Sequence, residues 1–121
     1  PTDAELELLT VLWERGPSTV REVHDEVNSG RPVGYTTVLK LLQIMFEKRL
    51  VKRDARDRSH VYRAARPREG TQRALLDDLV ERAFGGSASE LVQRALAARR
   101  ATPDELREIR RLVDRIERGD A

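Results

Sequence analysis

"GYTTVLKLLQIMFEKRLVKRD", residues 34–54, decides how the rest of the chain is read. At 100° per residue, Leu42, Met45, Leu41, Tyr35 and Phe46 gather on the side of Val38. Thr36, Lys40, Gln43 and Glu47 fall on the opposite side. A merely solvated helix more typically carries Glu/Lys pairs. This face carries short hydroxyls at its start, then one cation and one amide. Those groups suit phosphates and base edges at the entrance of a major groove. Glutamine pairs with adenine, threonine methyls touch thymine methyls, and helix N-termini bind phosphate. The spacing predicts this third helix from about Tyr35 to Lys48.

Upstream, Thr2-Asp3-Ala4-Glu5 reads as a capping box. Leu6, Leu9, Leu12 and Trp13 then share a face, with Trp13 expected as core packing, and Gly16-Pro17 stops the helix. Ser18 is expected to cap a second helix with Val20, Val23 and Val27 as its stripe, and residues 28–32 connect it onward. Downstream, Leu50–Asp54 and His60–Ala64 bracket a charged link, Ala55–Ser59, and read as a β-hairpin. That hairpin holds Lys52, Arg53, Arg56, Arg58, His60 and Arg63. Three helices followed by a basic hairpin make a helix-turn-helix with a wing, which sets cations beside the sugar-phosphate backbone or a minor groove. Charge follows the same division. A net +2 hides −5 over residues 1–30, +7 over residues 31–66 and 0 over residues 67–121. The positive block suggests a polyanion-binding face, although a basic surface can also be merely solvated.

After Pro67 the pattern is helical. Leu75, Leu76, Leu79, Val80, Ala83 and Phe84 form a stripe closed by Gly85-Gly86, and Leu91, Val92, Ala95 and Leu96 follow Ser87. Thr102-Pro103-Asp104-Glu105 starts a last helix, whose Leu106, Ile109, Val113 and Ile116 repeat at 3-4-3 spacing like a coiled-coil seam. Thirteen large apolar residues on three helices cannot readily enclose a core of their own. The stripes need a partner: a second copy is the economical one, and packing back on the winged helix is the alternative. The fold class is therefore mainly α with a small β-hairpin. Residues 1–66 are expected to form a winged-helix DNA-binding domain and residues 67–121 a helical dimerisation region, with Leu75, Leu79, Leu91, Leu96, Leu106, Ile109, Val113 and Ile116 at the interface.

Several function classes drop out. The chain has no cysteine, which removes disulfides, a thiolate nucleophile and Cys-based metal sites. Its two histidines stand far apart, His24 as a boundary residue of the second helix and His60 on the hairpin, so no metal site is expected. No nucleophile–base arrangement and no phosphate-cradling glycine loop is present, so neither enzyme activity nor a cofactor is expected. The longest apolar run, Ala95–Ala98, is four residues, against about 20 for a membrane span. No signal-peptide core stands near the start, so a soluble, cytoplasmic protein without membrane contact is expected.

The stretches "ELELLTVLWERGPSTVREVHDEV", "YTTVLKLLQIMFEKRLVKR" and "HVYRA" resemble the BlaI/MecI/CopY family of bacterial repressors, often called penicillinase repressors, from about Ala4 to Ala65. The shared pattern is LW-x-x-G-x-x-TV-x-x-V, then YTTV-x-x-LLQ, then a basic hairpin ending VYR. The resemblance implies a homodimer on double-stranded operator DNA carrying an inverted repeat, with the third helix in the major groove. Tyr35, Thr36 and Thr37 would open that helix, Lys40 and Gln43 lie along it, and residues 56–60 form the wing tip. DNA contacts are thus expected from Tyr35, Thr36, Thr37, Lys40, Gln43 and Lys48 on the helix and from Arg53, Arg56, Arg58 and His60 on the wing.

The chain departs from the family in places. Ile44 stands where a basic residue is common, and Arg49 where glycine is common. If Arg49 occupies a left-handed helix stop, it costs roughly 1 kcal/mol. The copper-responsive branch carries a Cys-based motif that this chain lacks. In β-lactam-responsive members a partner protease cuts an Asn-Phe bond in the helical region. The corresponding stretch here reads "LVQRAL", so Arg94-Ala95 takes that place and release by this cut is not expected. An inducer or sensor protein is left unidentified. A rival reading, with Leu39 and Ile44 flanking the helix face, is a winged helix used for protein–protein contact.

Overall fold

The computed structural model describes residues 1–56, 59–99 and 101–120. Helix α1 (Asp3–Arg15) opens on the expected capping box: the Thr2 N–H donates to Glu5 Oε1 at 2.8 Å, and the Glu5 N–H donates to Thr2 Oγ1 at 3.2 Å. Gly16 stops the helix at φ 88°, a conformation that favours a residue without Cβ. The buried stripe is Glu5, Leu8, Leu9 and Leu12. Leu6, expected in it, is only half-buried, because Glu5 heads the i, i+3, i+4, i+7 row that faces inward.

Ser18 does not cap the second helix. Ser18–Thr19 form a short strand, β1, and Thr19 is the cap of α2 (Val20–Gly30), in a second capping box with Glu22. The Ser18 hydroxyl is committed elsewhere: it donates to Gly16 O at 2.8 Å and accepts from Arg15 Nε at 3.2 Å. Helix α3 (Tyr35–Glu47) follows, then β2 (Val51–Arg56) and β3 (Ser59–Ala64). The hairpin is therefore part of a three-stranded antiparallel sheet of order β1-β3-β2. Its strands run further than expected, taking in Ala55, Arg56 and Ser59, and Arg56 pairs with Ser59.

Leu8, Leu9 and Leu12 of α1, Val20, Val23 and Val27 of α2, and Val38, Leu42 and Met45 of α3 pack with Val51 and Tyr62 of the sheet into one core. Each such side chain removed from water contributes about 1.5–3 kcal/mol, and together they fix which side of α3 is left outside. Trp13 packs against this core as expected, and its indole N–H donates to Arg66 O at 3.0 Å.

Helices α4 (Arg68–Ala83), α5 (Ala88–Ala98) and α6 (Pro103–Glu117) complete the chain. Compact units span residues 1–74 and 75–121. The start of α4 belongs to the first unit, where Arg68 reaches Glu14 at 3.3 Å and its guanidinium lies 5.6 Å from the Trp13 ring centre. In the second unit Gly85 and Gly86 adopt φ 58° and 83°, Ser87 caps α5, and Thr102 and Glu105 form the expected capping box of α6. No described helix is long and apolar enough to cross a membrane.

Candidate nucleic-acid interface

The connection from α2 to α3 is held by side chains. Val33 donates its N–H to Asn28 Oδ1 at 3.1 Å, and its carbonyl lies 2.9 Å from His24 Nε2. Arg31 forks onto Glu7 with contacts of 2.6 and 3.2 Å, and this guanidinium holds the Glu7 carboxyl below the usual carboxylate range. Gly34 is the N-cap of α3 and offers no side-chain hydrogen bond. The first-turn amides of α3 therefore meet no cap side chain, the condition under which a helix N-terminus takes a phosphate.

Along α3, Thr36, Thr37, Lys40 and Gln43 are all exposed, while Val38, Leu42 and Met45 beneath them are 0% exposed. Tyr35, whose ring the helical register put toward the core, is instead 40% exposed. The His24 ring meets it edge-on at 5.8 Å and the Arg21 guanidinium stands 5.2 Å from its centre. Ile44 is 44% exposed, and Leu39 is half-buried against the core.

Lys48 has a partner within the fold. Its Nζ lies 2.8 Å from Oε2 of Glu5, whose side chain is 2% exposed. Burial raises the Glu5 carboxyl, but hydrogen bonds from Lys48 and Thr2 outweigh it and hold the group below its ordinary value. Moving Lys48 to a phosphate would strip a buried carboxylate of its counter-charge, a costly exchange. Next to it, Arg49 takes φ 64°, the one positive φ at a non-glycine among the described residues. Arg49 N–H donates to Phe46 O at 3.0 Å and Leu50 N–H to Met45 O at 2.9 Å, the bonding of a Schellman stop. The left-handed position that the sequence posed as a condition is occupied.

On the sheet, the Arg53 guanidinium stacks 3.8 Å from the centre of the Phe46 ring and is half-buried, so it pins β2 to α3. Arg56 ends β2, but its side chain lies outside the described structure, and Arg58 lies outside the described residues. His60 is exposed, its ring 6.3 Å from that of Tyr62. Lys52 and Arg63 stand opposite each other across the strands, both exposed. Facing like charges destabilise a sheet, a cost that a bound polyanion removes.

A cleft of about 430 Å³ runs between the start of α2, the first turns of α3 and β3, lined in part by Thr19, Arg21, Tyr35, Leu39, Ser59 and His60. The fold thus joins Tyr35 and His60, which the sequence singled out, to Arg21, which it did not. Arg21 sits in an acidic N-terminal segment, and a tally of charge by segment conceals it. Its place two residues after the Thr19 cap was the available signal.

In the second unit, Leu79, Leu96, Leu106, Val113 and Ile116 are 39–59% exposed, and Leu75, Leu91 and Ile109 are half-buried. No described residue of α4, α5 or α6 is buried.

A family profile described as penicillinase repressor matches residues 1–115. Two relatives described as transcriptional regulator BlaI come from Mycobacterium tuberculosis strains CDC 1551 / Oshkosh and ATCC 25618 / H37Rv. Each is 32% identical over 120 residues, covering 97% of this chain and 85% of its own. The solved complex structure of hsRosR superposes with TM-score 0.55 at 20% identity, covering 98% of this chain and 91% of that one, a likeness of fold.

Proposed function

The chain belongs to the penicillinase repressor family, which comprises DNA-binding transcriptional regulators and not enzymes, and on that premise we propose that it acts as a homodimeric repressor on an inverted-repeat operator. The observation that carries this reading is the exposed row Thr36, Thr37, Lys40 and Gln43 on α3, set over a closed core and beside a basic sheet. In it, α3 enters the major groove and these four side chains read base edges. Tyr35, Arg21 and His60, with the wing cations Lys52, Arg56, Arg58 and Arg63, supply phosphate contacts that set register and most of the affinity. Arg53 serves as the link between wing and helix, and Lys48 as the counter-charge of Glu5.

Residues 67–121 are the dimerisation region in this reading, supported by apolar stripes on helices that bury none of their described residues. Two-fold symmetry then sets the recognition helices about one helical turn, roughly 34 Å, apart on a pseudo-palindrome. Such a protein works in the cytoplasm, where the DNA is. The family's release by an Asn-Phe cut does not transfer, because Arg94-Ala95 stands at that place. Release instead shifts the balance between DNA-competent and incompetent arrangements of the dimer, through a ligand or sensor protein that discriminates between them. The hinge in this reading is Gly85-Gly86 or the Ala65–Arg68 link, and the glycine pair suits it better, because Arg66 and Arg68 are tied to Trp13 and Glu14.

Sequencing DNA that copurifies with the protein yields the operator, and titration with that duplex tests the reading. Gln43→Ala should cost about 1–3 kcal/mol at one base pair and leave random duplex unaffected. Equal losses on operator and random DNA would remove Gln43 from the readout. The 44% exposure of Ile44 favours a second reading, a protein-binding winged helix. Salt separates the two, since DNA affinity falls steeply with ionic strength and an apolar interface does not respond in that way.

A further inference from the structure

The start of α3 is a helix end that cannot hold itself. Gly34 has no side chain to cap it, and the first intrahelical bond, Val38 N–H to Gly34 O, is 3.2 Å long. What fixes the entry to α3 is the preceding residue, Val33, whose N–H is taken by Asn28 and whose carbonyl faces His24 Nε2. The other nitrogen of the same ring, Nδ1, lies 3.1 Å from Asp25 Oδ1. Both atoms facing the imidazole are acceptors.

A neutral imidazole carries one N–H and donates to one of them, leaving a lone pair against the other oxygen. An imidazolium donates to both. The ring is also placed where its state matters, since it packs edge-on against Tyr35, the first residue of α3, and its side chain is 17% exposed. Among the described residues, the charged or titratable groups brought to it are Asp25 on its own helix and Tyr35 on α3, with Arg21 over the same Tyr35 ring.

We propose that His24 is a pH-sensitive positioning residue: when protonated it holds Val33 and Asp25 together and so fixes the turn that aims α3 at DNA. This rests on α3 being the recognition helix. Histidine is the side chain that ordinarily changes charge between pH 5 and 8, and the chain has two, His24 and His60, so the assignment separates cleanly. On protonation the ring gains one hydrogen bond and the turn loses a competing arrangement. Sequence-specific binding is therefore strongest at the acid end of that range and weakens as His24 deprotonates.

The test uses the full chain and two fluorescent duplexes, one selected for binding from a random pool and one scrambled. The preference for the selected duplex should fall roughly three- to tenfold from pH 6 to pH 8, the worth of one hydrogen bond. His24→Gln keeps a donor of similar reach for the Val33 carbonyl without titrating, so its preference should stay level. His60→Gln should retain the slope. A flat wild-type profile, a slope kept in His24→Gln, or a slope abolished by His60→Gln overturns the proposal. An NMR titration of the free protein decides the turn itself. The Gly34 amide nitrogen, bonded to the Val33 carbonyl carbon, should titrate with the His24 ring in the wild type and not in His24→Gln. If no duplex binds while Gly34 still follows His24, the recognition-helix reading fails and the coupling of His24 to the turn stands. If Gly34 does not follow, the positioning role is refuted whatever DNA does.

Discussion

Residues 1–74 enclose their own core, and no described residue of 75–121 is buried. The first unit hides eleven apolar side chains at 7% exposure or less. In the second, α6 carries a cleaner stripe than any helix of the first, yet Leu106, Val113 and Ile116 remain 40–59% exposed. Both units are patterned for burial. Only the first contains layers enough (three helices and a sheet) to receive its own stripes. Periodicity thus says which face seeks cover and is silent on what covers it. In the proposed homodimer a second copy supplies the cover that these stripes lack.

The largest effect should come from spoiling the uncovered stripe. Val113→Asp with Ile116→Asp puts two charges on the seam of α6. Sedimentation should show a monomer, and operator affinity should fall roughly a hundred- to ten-thousandfold, because the second half-site is no longer engaged at high effective concentration. The circular dichroism of the winged helix should survive, since no residue of its core is altered. A double variant that remains dimeric would break the comparison at its root. A wild type sedimenting as a monomer at tens of micromolar, well above what a standard-size interface should need, would do the same.

A smaller effect sharpens the other half of the comparison, the self-sufficiency of the first unit. Glu5 sits in a core stripe and is held ionised by Lys48 and Thr2. Its carboxyl is depressed below the ordinary value of 4.5 in the fold. The stability this contributes is fully present above the unfolded value and lost as pH falls through the lowered folded one. Glu5→Gln keeps a capping amide but removes the charge, and should cost about 1 kcal/mol at neutral pH, discounted because Lys48 is half exposed. Urea melts should show the gap between the two proteins closing as pH drops below the carboxylate range. The gap should not change with protein concentration, as a contribution confined to one chain requires. A gap that widens on acidification would reverse the assigned direction.

The winged helix was legible because its signals are local: the capping box at Thr2, a glycine stop, the apolar stripes of three helices and a basic hairpin. What escaped was each feature made by residues distant in sequence. β1 is two residues long, too short to alternate, and exists only because Ser18 and Thr19 meet Tyr62 and Val61. Glu5 looked like a cap and is also a buried charge, which follows only from Lys48 arriving 43 residues later. For the same reason the ion pair of Lys48 with Glu5 is not visible in the sequence around either residue. Nothing in "LVKRD" announces that Phe46 lies beneath Arg53. His24 was placed at a boundary, which is correct, but its second acceptor, the Val33 carbonyl, appears only once the chain turns back there.

The smallest effect compares one helix stop in each unit. At the end of α3, Arg49 sits at φ 64°, and Arg49 and Leu50 donate to Phe46 and Met45. At the end of α6, Gly119 sits at φ 78°, and Gly119 and Asp120 donate to Ile116 and Arg115 at 3.0 and 2.9 Å. The hydrogen bonding is the same and the residue is not. An L-residue in this conformation costs about 1–2 kcal/mol, while glycine loses about 0.5–1 kcal/mol more chain entropy on folding. Arg49→Gly should therefore stabilise the first unit by about 0.5–1 kcal/mol, raising its melting temperature by a few degrees. Gly119→Ala introduces the strain that Arg49→Gly removes, yet it should move the melt less. Leu50, the residue after Arg49, packs with Met45 against the core, so the α3 stop is locked to the cooperative unit. The residue after Gly119 is the exposed Asp120, and the α6 end can fray without disturbing anything buried. Equal and opposite shifts from the two substitutions would mean that the end of α6 is packed as firmly as that of α3, and the contrast between the units would then be one of exposure without a difference in order.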